Sequence, residues 1–441
     1  MKRIDLLRFS TLRALLVGRW SQLLLRAVLL AGFLFTTLAG FSGSVVGSHN
    51  FAIIFVWIAW WTLLKLIFIP FGGRSWCSVC PLPLAGEWFQ QGGLLNAGPA
   101  RHGLGWRLPR RLRGVWVQAV IFLFIGFFVA VTLTTARVTA WILAGILVAA
   151  LLLALVFERR TFCSTLCPIG GFIGLYARAA PVELRIKDRQ VCAQHDEKLC
   201  YTHCSWGIYP VALKSSAPCG LCMECVRACP HDNIALNLRP FGSDLHAVAR
   251  PGLDDAFLAL VMLGTALVYS TLFSGPWGEL KTAAYALGSA GWLFYAAALL
   301  VVTLILLPGL YLLAVWLGQL LAAQRISLRK AARQQTNTLV PLGLMAWITF
   351  TISFAFSKYN YVLTVISDPM GWGWNLFGTA NLAVKADLSG ISLFLQAAAL
   401  LVGLFWSARV ASRHAATLRS ALPLTIFCLL FTLAMAWLLL G

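Results

Sequence analysis

The chain has 441 residues, of which 60% are hydrophobic and only 11% charged, and its mean hydropathy is +0.81. Soluble domains carry roughly a quarter of their residues as charges, so this composition excludes a water-soluble chain and puts most of it in a bilayer. The 35 Lys and Arg against 15 Asp and Glu give a formal charge of +20, which has to be tested against membrane topology before any nucleic-acid partner is invoked.

Apolar windows of about 20 residues predict about nine spans, at roughly 23–41, 51–69, 115–134, 140–157, 254–273, 289–313, 338–356, 390–406 and 421–439. Pro308 is expected to kink the sixth or mark its exit, because proline lacks the N–H of the helical ladder. With a cytoplasmic N-terminus, 30 of the 35 basic residues fall inside. Arg137, Lys281, Lys358 and Lys385 fall outside, and Lys65 lies within the second span, where snorkelling is the favoured reading. Every loop obeys the positive-inside rule, which accounts for the charge without nucleic acid and leaves membrane lipid as the partner of the basic loops. The basic, apolar N-terminus has no small-residue cleavage site and reads as an uncleaved signal anchor. The expected location is a bacterial inner membrane, with the N-terminus cytoplasmic and the C-terminus periplasmic.

At the inner ends of the second and fourth spans a pattern repeats. Arg74-Ser-Trp-Cys77-Ser-Val-Cys80-Pro81 parallels Arg160-Thr-Phe-Cys163-Ser-Thr-Leu-Cys167-Pro168, so residues 23–90 and 115–175 read as a duplicated hairpin unit, one residue shorter between the cysteines of the first copy. Duplication brings Cys77, Cys80, Cys163 and Cys167 to one depth, as a third cluster or other metal site, or else as buried structural thiols. Structural disulfides do not suit the cytoplasmic side.

Residues 160–253 form the only long polar stretch. They hold Cys219-x2-Cys222-x2-Cys225-x3-Cys229-Pro230, the run used by bacterial ferredoxins to hold iron–sulfur clusters, in which the fourth cysteine serves a second cluster. Paired zinc knuckles do not need a third cysteine at this interval. Upstream, Cys200-x3-Cys204 copies the end of such a run. Crossed ligation then assigns Cys219, Cys222, Cys225 and Cys204 to one [4Fe–4S] cluster. Cys192, Cys200 and Cys229 are left to another, one thiolate short: either a [3Fe–4S] cluster or one finished by His195, Asp196, His203 or a further cysteine. Cys428, alone in the last span, reads as a packing residue.

The cysteine-ended hairpins followed by this insert resemble the membrane-bound polyferredoxin family that includes NapH and the C-terminal region of NosR and, more distantly, the copper-reducing assembly protein CcoG. The resemblance covers roughly residues 20–275 and implies a quinol-linked electron-transfer subunit or an accessory factor of a periplasmic reductase. The first pair, Cys77-x2-Cys80, is shorter than the family's, the first ferredoxin run is broken, and the last four spans have no counterpart.

There is no Cys-x2-Cys-His and no facing pair of histidines within the spans, so no haem is expected. All the redox candidates lie at one face of a hydrocarbon layer about 30 Å thick, which makes quinone the expected membrane partner; Lys65, Trp76, Glu87, Trp88 and Glu158 are candidates for its site. Between the seventh and eighth spans, the loop 367–378, with Trp372, Trp374 and Phe377, reads either as an interfacial aromatic anchor or as a docking surface for a periplasmic partner.

The sequence therefore predicts an α-helical polytopic membrane protein with three regions. Residues 1–159 form an N-terminal membrane region, 160–253 a cytoplasmic ferredoxin-like (α+β) insert, and 254–441 a five-helix membrane region. The expected function is electron transfer between cytoplasmic-side clusters and quinone or a partner redox subunit. A copper-reducing or metallocentre assembly factor and a membrane redox sensor stand as alternatives, and catalytic residues are not assigned.

Overall fold

The computed structural model describes residues 3–93, 102–246, 251–274, 278–323, 326–381 and 389–440; Lys2, Arg101, Arg250, Arg325 and Lys385 of the charge count lie outside the described residues. Among the described residues, eight helices are long and apolar enough to cross a membrane: Arg19–Ser42, Phe51–Gly72, Ala136–Val156, Leu253–Phe273, Ala290–Leu321, Leu328–Phe356, Gly390–His414 and Leu418–Leu440. The chain is thus mostly helical and has the build of a multi-pass membrane protein.

The stretch expected as a ninth span, 115–134, is not one helix. It is split into Val115–Gly126 and Val129–Thr134. The cause lies in side chains far along the sequence. Tyr295 donates its hydroxyl to the carbonyl of Gly126 at 2.6 Å, and the Trp292 indole N–H donates to that of Phe127 at 3.1 Å. These carbonyls therefore have partners outside the helical ladder, at a place where hydropathy alone sees an unbroken apolar run. Pro308 departs from expectation in the other direction. The helix runs on to Leu321, and a π-helical stretch at Val301–Leu306 precedes the proline; local widening of this kind lets a membrane helix tolerate a missing donor. The second span, Phe51–Gly72, also contains two π stretches, Ile54–Trp60 and Leu64–Phe68.

The chain divides into two compact units. One comprises residues 36–66, 119–141 and 250–441. Within it, Leu253–Phe273 and Leu328–Phe356 are the most buried helices, while Gly390–His414 presents Phe394 and Phe405 outward, as helices do when their solvent is lipid. Hydroxyls at Thr265, Thr349 and Thr351 bond back to carbonyls of their own helices, so these groups are satisfied without a partner from outside the helix.

The other unit comprises residues 1–35, 67–118 and 142–249. Its sheet has three antiparallel strands in the order β1 (Ile4–Asp5), β3 (Ile234–Leu238), β2 (Val182–Ile186), with Leu184 opposite Leu236 and Ile4 opposite Leu238. β1 comes from the N-terminal segment, which its sequence alone gives no reason to place in a sheet. Leu7, Leu184, Ile234 and Leu236 share a small core with Leu221, Met223 and Val226 of the cysteine run. Beneath the sheet a fully buried charge network sets the loops. Arg239 donates to Glu183 at 2.7 Å and to Asp244 at 2.6 Å, and Asp244 also accepts from the Ser216 backbone N–H at 2.6 Å.

Burial works to raise the Asp244 carboxyl, but the Arg239 hydrogen bond and charge outweigh it and hold the group below the usual carboxylate range. The stability it contributes is therefore whole at neutral pH and is lost as pH falls below about 3.9, the unfolded value. Removing one partner of a buried pair costs about 3–5 kcal/mol. Asp244→Asn should accordingly lower the thermal unfolding midpoint of the detergent-solubilised protein at pH 7, and an unchanged midpoint would show that the network does not hold this unit together.

Candidate functional site

Eleven of the twelve cysteines lie in the unit that contains the sheet, and all twelve are free thiols. The run Cys219–Cys229 is wound tightly. Leu221 and Met223 both have left-handed backbones, with φ of 52° and 62°, a conformation costing a non-glycine residue roughly 1–2 kcal/mol. That cost is typical of functional turns. Burial, with the neighbouring Cys222 and Cys204 thiols, pushes the Cys219 thiol up to about 12, and burial with Cys204 does the same to Cys222. Cys225 is raised by burial and by the same three neighbours. Cys219, Cys222, Cys225 and Cys204 thus stand within electrostatic reach of one another. Cys200 is raised by burial and then by Cys229 and Cys192, which marks those three as a second group, and Cys225 also feels Cys200.

Backbone and side-chain N–H groups point at several of these sulfurs. Ile208 N donates to Cys204 at 3.4 Å, Asn233 N to Cys229 at 3.4 Å, and Asn233 Nδ2 to Cys192 at 3.2 Å. Such donors favour the thiolate, the form that binds metal. Of the candidates for the missing fourth ligand, His203 already has Nδ1 on the Leu199 carbonyl at 2.9 Å. His195 instead stacks on His231 at 4.5 Å, and its Nδ1 is buried with no hydrogen-bond partner.

The membrane-edge cysteines also come together. Cys163 is raised by burial and then by Cys167, Cys80 and Cys77; burial pushes Cys167 up to about 11 with Cys77 adding to it. The one-residue difference between the two copies has a structural answer. In the first, Cys80 N–H bonds to the Trp76 carbonyl four residues back, and in the second Cys167 N–H bonds to the Phe162 carbonyl five residues back, both at 2.9 Å. Trp76 and Phe162 occupy the same place, just before the first cysteine of each pair. The extra residue is absorbed as a π turn at Phe162–Leu166, so both turns close on equivalent residues.

The arginine that opens each copy has a role that only the folded chain shows. Arg160 donates to the Cys77 carbonyl of the first copy at 3.1 Å, and Arg74 donates to the Gly170 carbonyl of the second at 2.7 Å. The brace is reciprocal. Arg160 also grips Glu87, which pairs with Arg26 at 2.9 Å, and Arg26 in turn holds the Ser78 carbonyl at 3.0 Å. Glu87 is therefore part of a charge clamp on the Cys77–Cys80 turn and not a free acid. Glu158 pairs with Arg107 at 3.2 Å, Trp88 is exposed, and Trp76 meets Phe68 edge-on at 5.5 Å. The only earlier signal for the arginines is their recurrence three residues before the first cysteine of each pair.

Lys65, in the other unit, does not snorkel. It is 5% exposed, and its Nζ lies 4.8 Å from the Trp61 ring, 4.7 Å from Trp347 and 5.4 Å from Phe350. Among the described residues no carboxylate or hydrogen-bond acceptor pairs with it, so the rings alone offset its charge. In the 367–378 loop, Asp368 caps the Trp372 and Gly373 N–H groups at 3.0 and 2.8 Å, leaving Trp372 and Phe377 outward. Cys428 is fully buried in its helix, as a packing residue should be.

Iron–sulfur clusters fit these residues. Trp206 Nε1 is buried without a partner and lies hard against Gly220, between Cys219 and Cys222, where a Cβ would collide with it; a cluster sulfur is the acceptor missing there. Among the described residues no three His, Cys, Asp or Glu side chains converge as they would on a single ion, whose four sulfur ligands would sit about 2.3 Å from the metal.

Comparison with known proteins agrees at a coarser level. Residues 53–102 and 139–187 each match the model of a 4Fe-4S binding domain, while no curated protein and no solved structure matches the chain. Each match holds the second span of one hairpin and the cysteine pair that follows it, and neither reaches Cys219–Cys229. Over those two stretches the chain is similar to 4Fe-4S proteins of ferredoxin type, in keeping with an iron–sulfur role for its cysteines.

Proposed function

We propose that this protein transfers electrons between a cytoplasmic-side donor or acceptor and quinone or a partner reductase in a bacterial inner membrane. Its insert, ferredoxin-like in its cysteine run, faces the cytoplasm. The observation that carries the reading is the succession of three thiol groups in one compact unit: Cys192, Cys200 and Cys229, then Cys204, Cys219, Cys222 and Cys225, then Cys77, Cys80, Cys163 and Cys167. Each group would hold one cluster, and clusters supply one-electron carriage at potentials set by nearby charge and hydrogen bonds. His195, with its unpartnered Nδ1, would complete the first group. The copper-handling alternative uses the four membrane-edge thiols, Cys77, Cys80, Cys163 and Cys167, and metal content separates the two.

Quinone is mobile in lipid, so it links a centre at one membrane face to partners without any relay across the layer. Lys65 is the residue best suited to meet it. Its ammonium, out of water and without an acceptor, would donate to a quinone carbonyl.

Anaerobically purified protein should contain iron and acid-labile sulfide, no copper, and at least two iron–sulfur signals by EPR. Copper in stoichiometric amount would replace this reading with the assembly-factor one. His195→Ala should give a three-iron signal in oxidised protein that His203→Ala does not; if neither variant does, another group completes the cluster. Lys65→Met should slow quinol-driven cluster reduction about tenfold, the worth of one hydrogen bond to a charged donor, with reduction by dithionite unchanged. Equal rates with quinol would remove Lys65 from the quinone site.

A further inference from the structure

Arg74 is 5% exposed and has no carboxylate partner among the described residues. A guanidinium buried in this way costs several kcal/mol unless negative charge reaches it. Its hydrogen bonds go only to carbonyls: Nη2 to Gly170, three residues beyond Cys167, and Nη1 to Ala217, two residues before Cys219. Nε has no acceptor. Helix Pro168–Tyr176 leaves room for the group, since a Cβ at Gly174 would stand 3.2 Å from Nη1 and 3.3 Å from Cζ. The guanidinium lies 4.5 Å from the Trp206 ring, and that ring's unpartnered Nε1 faces the Cys219–Cys222 turn.

The two carbonyls that hold Arg74 lie three residues beyond Cys167 and two before Cys219, so its charge is set beside turns that carry cysteines of two different groups. We infer that Arg74 is the shared counter-ion of the membrane-edge centre and the Cys204/Cys219/Cys222/Cys225 centre, and that Trp206, stacked beneath it, donates its indole N–H to the latter centre alone. Both act as positioning residues. A positive charge held near a cluster favours its reduced form, and so does an N–H donated to its sulfur, because reduction adds negative charge. One arginine thus raises two potentials together. The inference rests on the iron–sulfur reading above.

The test is a redox titration followed by EPR on the full-length protein in detergent, with iron and sulfide measured in every sample. Arg74→Gln should lower the reduced-to-oxidised ratio of both centres about tenfold at a fixed potential, equivalent to ~59 mV for a one-electron couple. Trp206→Phe should lower that of the insert centre only. Arg74→Lys, which keeps the charge and loses the fork, should move both in the same direction by less than Arg74→Gln does. Arg74→Gln protein that keeps its iron but shifts one centre or neither would overturn the shared counter-ion. If Arg74→Gln does not assemble, Arg74→Lys and Trp206→Phe decide, and Trp206→Phe with unmoved potentials or with both lowered equally overturns the assignment. Wild-type protein free of iron and sulfide would instead defeat the underlying reading, a result distinguishable from all of these.

Discussion

Thiolates taken out of water need positive charge beside them, and in this protein that charge comes from arginines buried between the cysteine turns. Arg74 and Arg160 start equivalent turns of a duplicated unit and reach across to each other's copy. Burial, with the neighbouring thiols adding to it, raises Cys163 and Cys167 above the ordinary range. Without nearby guanidinium groups and a metal to bind, the thiolate forms would be too costly to keep in such surroundings. The two arginines are balanced differently. Arg160 shares Glu87 with Arg26, which offsets part of its charge, whereas Arg74 has no carboxylate partner among the described residues.

The duplication explains how four thiols at two distant points of the chain reach one place. Each copy ends its helix in a turn closed by the second cysteine's N–H, and the π turn in the second copy absorbs the extra residue. A strict α-turn there would rotate Cys167 by about 100°, one residue of a 3.6-residue helix, away from its partners. Widening the turn is the smaller disturbance. The same device recurs before Pro308 and twice in the helix that carries Lys65.

In the unit lacking the clustered cysteines, Lys65 is a buried cation held by three aromatic rings. A lysine near the end of a span ordinarily lifts its head to the interface. Here Trp347 and Phe350, both on Leu339–Phe356, supply two of the three rings. Residues nearly 300 positions away thus decide the environment of Lys65, and periodicity in the second span carries no trace of them.

Much of the chemistry was legible in the linear chain because metal ligands are local. Three cysteines on one tight turn must sit a few residues apart, so Cys219, Cys222 and Cys225 announce themselves by spacing, and long apolar runs announce helices by length. The repeat of Arg-x2-Cys was equally visible, but its meaning was not, since the Arg74 contacts at Gly170 and Ala217 lie about 100 and 140 residues downstream. Likewise the break after Gly126 depends on Tyr295 and Trp292, and β1 on Leu238 and Asn237. Composition, span and ligand spacing belong to short stretches of chain and are settled there; charge compensation, helix breaks and the placing of Lys65 and Trp206 depend on groups that only folding brings within a few ångströms.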